Sequence, residues 1–157
     1  MNNFFKSRTS VEQVEESCDF APKFDQSGFI VVVTTDYDSG EVLMQGVMNQ
    51  EALKKTIETG EAYYFSRSRQ VLWHKGATSG LIQTVREIRI DDDQDSIWLR
   101  VNVVGQASCH VGYRSCFYRK INFSSLQDDS PTLEFVEEKK IFDPKSIYGD
   151  APNPTLL

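Results

Sequence analysis

Cysteine, histidine and long apolar runs are scarce in this sequence. Three cysteines and two histidines are spread over 157 residues, and so small and odd a number of cysteines excludes a disulfide framework. No apolar run approaches the ~20 residues that a membrane-spanning helix needs. The first residues also lack the apolar stretch and cleavage site of a signal peptide. We therefore expect a cytoplasmic protein that does not enter a membrane, with free thiols that are buried apolar groups, metal ligands or nucleophiles.

Positive charge is also in short supply, and the formal net charge is −6. This balance disfavours nonspecific binding to nucleic acid. The middle of the chain differs, because Glu61–Ile90 carries five basic and two acidic residues, and Ser96–Ile121 carries four basic and no acidic residues. The local surplus favours a small anionic ligand over a polymer. From charge counts alone, however, a solvated basic face is the commoner explanation.

The length predicts one domain over residues 1–157. Apolar periodicity predicts a mainly β fold, of the α+β type, with one prominent helix. That helix is Asn49–Gly60, because Asn49 suits an N-cap and Gly60 suits a C-terminal stop. The segment Met1–Cys18 is expected to be a loose arm or a variable helix. Strands are predicted at Phe29–Asp36 and Glu41–Met48 (a hairpin), Ala62–Ser66, Ile82–Ile90 (with a bulge at Val85), Ile97–Val103, Ser115–Ile121 and Thr132–Phe142.

The segment ASCHVGYRSC, residues 107–116, holds two of the three cysteines and one of the two histidines. Six residues separate Cys109 from Cys116, whereas structural zinc sites prefer two to four. The spacing alone therefore favours two buried structural cysteines. His110 adjoins a candidate metal ligand and titrates near neutral pH, which also suits a proton carrier.

Four aspartates crowd the segment DDDQD, residues 91–95. Neighbouring carboxylates repel one another unless a positive charge lies among them. In an extended loop, Asp91, Asp93 and Asp95 point to one side and Asp92 to the other. The three resemble an all-oxygen site for Mg²⁺ or Ca²⁺, and a solvated acidic turn is the plain alternative.

The stretch SRSRQVLWHKGATSG, residues 66–80, is rich in hydrogen-bond donors that suit a phosphate group. Trp73 or His74 would stack on or orient a base. The pattern is not a P-loop, and a polar turn between two strands accounts for it equally well. Its candidate donors are Arg67, Arg69, Lys75, Thr78 and Ser79.

Taken together, these segments resemble one family, the phosphoribosyl-AMP cyclohydrolases of histidine biosynthesis. The resemblance covers about residues 20–119 and the late segment FDPKSIYG, and the order and spacing of the motifs agree. Phe65 stands where the family has a tryptophan. The segments that carry the resemblance are VLMQGVMNQEALKKTIETGEAYYFSRSRQVLWHKGATSG, the acidic loop and CHVGYRSCFYR.

The resemblance implies hydrolysis between N1 and C6 of the adenine ring of N1-(5-phosphoribosyl)-AMP. In that reaction a zinc-activated hydroxide attacks C6, an electron-poor carbon, and zinc can lower the pKa of bound water to about 7. The resemblance also implies Mg²⁺ as a second cofactor. It implies an intertwined homodimer of multi-strand sheets, with the zinc site at the subunit interface.

Carried over residue by residue, the family pattern assigns roles to individual side chains. Cys109 and Cys116 match zinc ligands, and His110 matches a histidine placed for proton transfer. The magnesium-binding aspartates are Asp91, Asp93 and Asp95. The residues expected to line the site of the phosphoribosyl nucleotide are Arg67, Ser68, His74, Lys75, Thr78 and Ser79.

Asp92 departs from this pattern. The family reads Asp-Cys-Asp-x-Asp here, and its cysteine is the third zinc ligand. Aspartate binds zinc at about 2.0–2.2 Å, so Asp92 is predicted as the third ligand of a weaker but more Lewis acidic site. Cys18 lies far upstream and is a poor substitute by position. Two alternatives stay open, a purine-nucleotide hydrolase of shifted substrate and a non-catalytic nucleotide- or metal-binding homologue.

Overall fold

The fold is that of a computed structural model, which describes residues 4–123 and 131–157. Its architecture is mainly β with one prominent helix, as predicted. Among these residues, no helix is long and apolar enough to cross a membrane. In chain order the elements are α1 (Val11–Glu16), β1 (Ile30–Asp36), β2 (Val42–Met48), α2 (Gln50–Thr59), β3 (Tyr63–Ser66), β4 (Val71–His74), β5 (Gln83–Ile90), β6 (Ser96–Val103), a 3₁₀ turn (Val104–Gln106), β7 (Arg119–Asn122), β8 (Thr132–Phe135) and α3 (Pro144–Tyr148).

The largest sheet has four strands in the order β2-β1-β6-β5. β1 pairs with β2 in the predicted antiparallel hairpin and with β6 in parallel. The register between β5 and β6 shifts between Val85 and Glu87, which confirms the predicted bulge. Alternate residues of β1 and β6 line the core, for example Val32 and Leu99. The sheet thus places the loop between β5 and β6, which holds the four aspartates, beside the start of β1.

Helix α2 begins and ends where its caps predict. The Asn49 side chain accepts a 2.8 Å hydrogen bond from the N–H of Ala52. Gly60 adopts the left-handed conformation, with φ of 71°, which a residue without Cβ reaches at little cost. Ala52 and Leu53 are fully buried in the core cluster, so the apolar face of this short helix is held by packing on the strands.

A short hairpin of β3 and β4 follows α2. The stretch 66–80 was predicted only as a ligand-binding or polar turn, and the strand Val71–His74 within it was missed. The three apolar residues of β4, 71–73, pair with β3. Trp73 lies opposite Tyr64, with ring centroids 5.6 Å apart. Aromatic pairs of this kind stabilise a hairpin. The polar residues of the stretch are therefore divided between its two ends.

The last third of the chain differs most from the prediction. The strands there are only four residues long, and the predicted continuation of β8 to Phe142 is wrong. Asp143 caps α3 by accepting the N–H of Lys145 at 3.1 Å, and Pro144 occupies the first turn. The Asp-Pro pair is a typical start signal for a helix, and it begins α3 just after the end of the predicted strand. In the predicted arm Met1–Cys18, Ser10 caps α1, and Met1–Asn3 lie outside the described residues.

Candidate active site

The loop 107–116, here called the cysteine turn, brings Cys109 and Cys116 together. Their thiols lie close enough for each to shift the pKa of the other. The intervening residues fold back through backbone hydrogen bonds from Ser108 to Arg114 (2.9 Å) and from Gly112 to Cys109 (3.0 Å). The turn therefore brings the two thiols close together, although six residues separate them in the sequence.

The cysteine turn is fixed from both sides. On one side, the N–H of Cys116 donates to the carbonyl of Leu43 in β2 at 2.7 Å. On the other side, the carboxylate of Glu137 accepts the N–H groups of Arg114 and Ser115 at 2.9 and 3.0 Å. Charge-assisted bonds to backbone N–H groups are among the stronger hydrogen bonds. Glu137 therefore orients the turn, a role that the sequence did not reveal because the segment 132–142 was predicted as one strand.

Gly112 lies at the tip of the cysteine turn in close contact with the C-terminal segment. Its φ is 105°, and a Cβ at this position would lie 2.3 Å from the carbonyl oxygen of Phe142. The N–H of Ile141 donates to the Gly112 carbonyl at 2.7 Å. Only glycine fits this approach, so the turn and the C-terminal segment form one unit.

Lys75 joins the β3–β4 hairpin to the cysteine turn. Its side chain is 4% exposed, and its Nζ donates a 2.7 Å hydrogen bond to the carbonyl of Ser108. Burial lowers the pKa of Lys75, while the charges of Cys116 and Cys109 in their thiolate forms oppose this effect. A buried ammonium group needs a negative partner, and the cysteine pair supplies one.

The two thiols ionise unequally. The neighbouring Cys116 thiol, as a donor to the Cys109 thiolate, lowers the pKa of Cys109 to about 7, with help from the Val111 N–H and the Lys75 charge against the opposing effect of burial. The same interaction, together with burial, raises the pKa of Cys116. A pair that loses one proton near neutral pH suits a metal, because thiolates are the ligating form.

His110 follows Cys109 directly. Burial lowers its pKa, the Asn153 side chain raises it, and the Lys75 charge lowers it further. Within residues 4–123 and 131–157, the buried Nε2 of His110 has no hydrogen-bond partner. Buried polar atoms are almost always paired, so this nitrogen is available to a ligand or to water.

The acidic loop brings Asp91, Asp93 and Asp95 together, with ligand atoms that all lie within 4.8 Å of one another. The clustering agrees with the prediction, but the loop is a turn and not an extended segment. Asp91 Oδ1 accepts the N–H groups of Asp95 and Ser96 at 2.9 and 3.0 Å. Partial burial and the charges of Asp93 and Asp91 raise the pKa of Asp95, so the cluster favours a proton or a cation.

Asp92 is exposed and does not meet the cysteine turn. Among the described residues of one chain, it forms no cluster of three metal-ligating atoms with Cys109 and Cys116. Asp92 instead lines a cavity of about 400 Å³ together with Asp91 and Cys18. The distance along the sequence had made Cys18 a poor substitute for a third thiol, yet the folded arm brings it to the acidic loop.

The predicted substrate-binding residues fall into two groups. Arg67 and Ser68 lie exposed in the turn between β3 and β4, whereas His74 and Lys75 lie at the other end of β4, next to the loop of Thr78 and Ser79. Four-residue strands separate the two groups by roughly 10 Å at about 3.3 Å per residue. Within one chain, the structure therefore does not place all six side chains at one point.

His74 is engaged within its own chain. Its Nε2 lies 2.7 Å from Oε2 of Glu61, and its ring stacks on Tyr63 with centroids 4.4 Å apart. Glu61 was not predicted as a functional residue, since it lies just before the strand and has no motif of its own. The bond to Glu61 fixes the orientation of the imidazole. Because Tyr63 covers one face of the ring and Glu61 occupies Nε2, a ligand would meet the remaining edge of His74.

The sequence of this chain was compared with those of known proteins. A family model described as phosphoribosyl-AMP cyclohydrolase matches residues 44–118. A phosphoribosyl-AMP cyclohydrolase of Rhizobium leguminosarum bv. trifolii is 53% identical over 137 residues, which cover 87% of this chain and 89% of the relative. One from Bradyrhizobium diazoefficiens is 52% identical over 136 residues, covering 87% and 94%.

These relationships define the class of protein as a hydrolase of histidine biosynthesis. At about 50% identity over most of both chains, they leave no ambiguity about the family. The chain belongs to the phosphoribosyl-AMP cyclohydrolase family.

Proposed function

We propose that this chain opens the adenine ring of N1-(5-phosphoribosyl)-AMP by metal-dependent hydrolysis of the bond between N1 and C6. The observation that carries the proposal is the contact between the thiols of Cys109 and Cys116, beside the buried Lys75 and next to His110. Family membership and this geometry point to the same chemistry.

The donor set of the cysteine turn fits zinc. It offers two adjacent thiols, one with a pKa of about 7, and zinc prefers thiolate ligands in such sites. When bound, zinc would supply a Lewis acid that makes water nucleophilic near neutral pH. We assign Cys109 and Cys116 as two ligands and Asp92 of a second chain as the third. Cys18 is the alternative third donor, because it lines the same cavity as Asp92.

His110 carries the proton in this proposal. Hydrolysis adds the oxygen of water to C6, breaks the C6–N1 bond and leaves a proton to be delivered to N1. Because burial lowers the pKa of His110, the imidazole is neutral at neutral pH and its Nε2 can accept the proton of the attacking water. The same Nε2 then returns the proton to N1, as general acid–base catalysis requires.

The acidic loop fits magnesium. Asp91, Asp93 and Asp95 offer clustered carboxylate oxygens, the ligands that Mg²⁺ prefers. A cation there would relieve the repulsion that raises the pKa of Asp95. It would also present positive charge to the phosphate groups of the substrate.

The remaining substrate contacts come from the two groups of donors. Lys75 contacts the cysteine turn at Ser108, and we assign it to the substrate together with His74, Thr78 and Ser79. Arg67 and Ser68 lie at the far turn of the β3–β4 hairpin. They are assigned to a phosphate that lies away from the reacting ring.

A homodimer is part of the proposal. Asp92 does not reach the cysteine turn of its own chain, which supports a zinc site shared between two chains. Apolar side chains on and beside the β7–β8 hairpin also support an interface, because surface patches of this kind mark sites of association. Those that are more than half exposed are Phe117, Ile121, Phe123, Leu133, Phe135 and Val136.

The direct test is turnover of N1-(5-phosphoribosyl)-AMP, followed by chromatographic separation of substrate and ring-opened product. We expect turnover that is lost after chelation and restored by zinc with magnesium. A dimeric, metal-loaded protein that opens no ring would contradict the proposal. Tight binding without turnover would identify a non-catalytic homologue, and turnover of another purine nucleotide would identify a shifted substrate.

The third zinc donor is tested by substitution. If Asp92 is the ligand, Asp92→Ala weakens zinc binding, Asp92→Cys strengthens it and Cys18→Ser has no effect. If Cys18 is the ligand, Cys18→Ser weakens zinc binding and Asp92→Cys restores it in that background. Titration with Co²⁺ reports the number of thiolate ligands through their charge-transfer absorption, independently of activity.

A further inference from the structure

Gln94 is the one uncharged residue in the acidic loop, and its side chain is buried. It is 5% exposed and adopts the left-handed conformation, with φ of 58°. A residue with a Cβ reaches this conformation at a cost of roughly 1 kcal/mol or more, and glycine is the usual choice. Gln94 therefore stays in this loop because its side chain makes contacts that glycine could not.

The amide of Gln94 bonds to the backbone of the N-terminal arm, residues 4–24. Its Oε1 accepts the N–H of Ala21 at 2.8 Å. Its Nε2 donates to the carbonyls of Val14 and Asp19 at 2.9 and 3.1 Å. The main chain adds a further bond, from the N–H of Lys23 to the Gln94 carbonyl at 2.7 Å. One side chain thus satisfies three backbone groups of the arm.

The arm is anchored to the core independently of Gln94. Phe5 lies 5.4 Å from Phe20 and 5.8 Å from Phe24 between ring centroids, and all three pack against the main core cluster. Within the arm, Arg8 donates to the Ala21 carbonyl at 2.7 Å and holds its two ends together. The arm is therefore a solid support for the loop, although it lies outside the residues 44–118 that the family model matches.

Gln94 lies between two of the clustered carboxylates. Asp93 precedes it and Asp95 follows it, and its N–H donates to the carbonyl of Asp91 at 3.2 Å. Like charges at such short range repel one another, so the cluster persists without a cation only if the backbone is held. The bonds from Gln94 to the arm supply that constraint.

We propose that the N-terminal arm is a positioning element of the cation site and that Gln94 is the positioning residue through which it acts. The inference rests on the magnesium site proposed above. A cation site with its oxygens already gathered binds more tightly, because the ordering of the ligands is complete before the ion arrives.

Gln94→Gly is the discriminating substitution, because glycine favours the left-handed conformation of the loop but lacks the side chain that bonds to the arm. Binding of Mn²⁺, which shares the preference of Mg²⁺ for carboxylates, is measured by titration calorimetry on the full chain. We expect at least a tenfold weaker affinity, and faster hydrogen exchange at the N–H of Ala21, whose acceptor is the deleted side chain. Gln106→Gly is the matched control, since Gln106 also has positive φ, 59°, and lies outside this loop; its Mn²⁺ affinity should equal that of the wild type.

The outcomes separate the inference from the cation site itself. If Gln94→Gly releases the arm, seen by hydrogen exchange, but binds Mn²⁺ like the wild type, the arm does not position the site and the inference is wrong. If Gln94→Gly changes neither the hydrogen exchange of the arm nor the Mn²⁺ affinity, the Gln94 side chain does not link the arm to the loop, and the inference is wrong. If the wild type binds no Mn²⁺, or if Asp93→Asn binds it as tightly as the wild type, the proposed cation site is wrong, and so is the inference that rests on it.

Discussion

The Nζ of Lys75 donates a 2.7 Å hydrogen bond to the carbonyl oxygen of Ser108, the residue before Cys109. This bond holds the buried ammonium group of Lys75 next to the backbone that leads into Cys109. The charge lowers the pKa of Cys109, and negative charge on the cysteine pair in turn opposes the lowering of the Lys75 pKa by burial. Lysine and thiols therefore depend on each other.

Lys75→Met should raise the pKa of Cys109, because it removes the positive charge that stabilises the thiolate. Alkylation of the metal-free protein near pH 7 should slow at Cys109, as mass spectrometry of the labelled peptides would show. Cys18, an exposed thiol of the same chain, is the internal reference and should keep its rate. Lys54→Met changes an exposed lysine paired with Glu58 and should alter neither rate, whereas equal slowing in both lysine variants would contradict the electrostatic cause.

Asn153→Ala should shift the acid limb of the pH–activity profile to lower pH. Burial lowers the pKa of His110 and the Asn153 side chain, as an acceptor for the protonated ring, raises it, so loss of Asn153 leaves burial unopposed and the imidazole stays neutral to a lower pH. His110→Ala should reduce kcat by roughly 10²–10⁴-fold, the usual contribution of general acid–base catalysis. A profile with the same acid limb in His110→Ala as in the wild type would show that another group carries the proton.

Asp95→Asn should stabilise the metal-free protein and remove its stabilisation by Mg²⁺. The pKa of Asp95 is raised in the folded chain, so its ionised form opposes folding at neutral pH, and this penalty disappears as the pH falls through the folded pKa. The gain in Tm should be only about 1–2 °C, because exposed charges contribute less than about 1 kcal/mol. Thermal unfolding with and without Mg²⁺ measures both effects, and a lower Tm in the metal-free variant would contradict the repulsion.

Gly112→Ala should destabilise the cysteine turn strongly. The added Cβ would meet the Phe142 carbonyl at 2.3 Å, in addition to the cost of positive φ. Gly40→Ala is the matched control, because Gly40 also has positive φ but nothing within 4 Å of the added Cβ. We expect about 1 kcal/mol for the control and at least about 3 kcal/mol for Gly112→Ala, measured by urea unfolding. Equal losses would show that Phe142 moves aside freely.

Local signals in the sequence predicted the local structure. Asn49 and Gly60 fixed the ends of α2, the turn after Asp36 fixed the first hairpin, and the broken alternation at Val85 marked a real bulge. Each of these features is determined by residues that are close together in the chain, so a short stretch of sequence is enough to predict it.

The parts that were missed depend on contacts between distant residues. Lys75 and Ser108 are 33 positions apart, and no local pattern indicates that they touch. Glu137 accepts the backbone N–H groups of Arg114 and Ser115. Every residue except proline has such an N–H, so the identities of residues 114 and 115 do not indicate this contact. Cys18 lies beside the acidic loop in a folded arm that packs through three phenylalanines and bonds to Gln94, and such packing is not visible as periodicity.

The parallel pairing of β1 with β6 has a consequence for synthesis on the ribosome. Val31 pairs with Ser96, 65 positions later, and at 5–20 residues per second the earlier strand waits about 3–13 s for its neighbour. During this interval the nascent β1–β2 hairpin has an open edge and an uncovered apolar face, which is the form most prone to aggregation. Growth temperature and chaperone supply should therefore affect the yield of this protein more than its final stability would suggest.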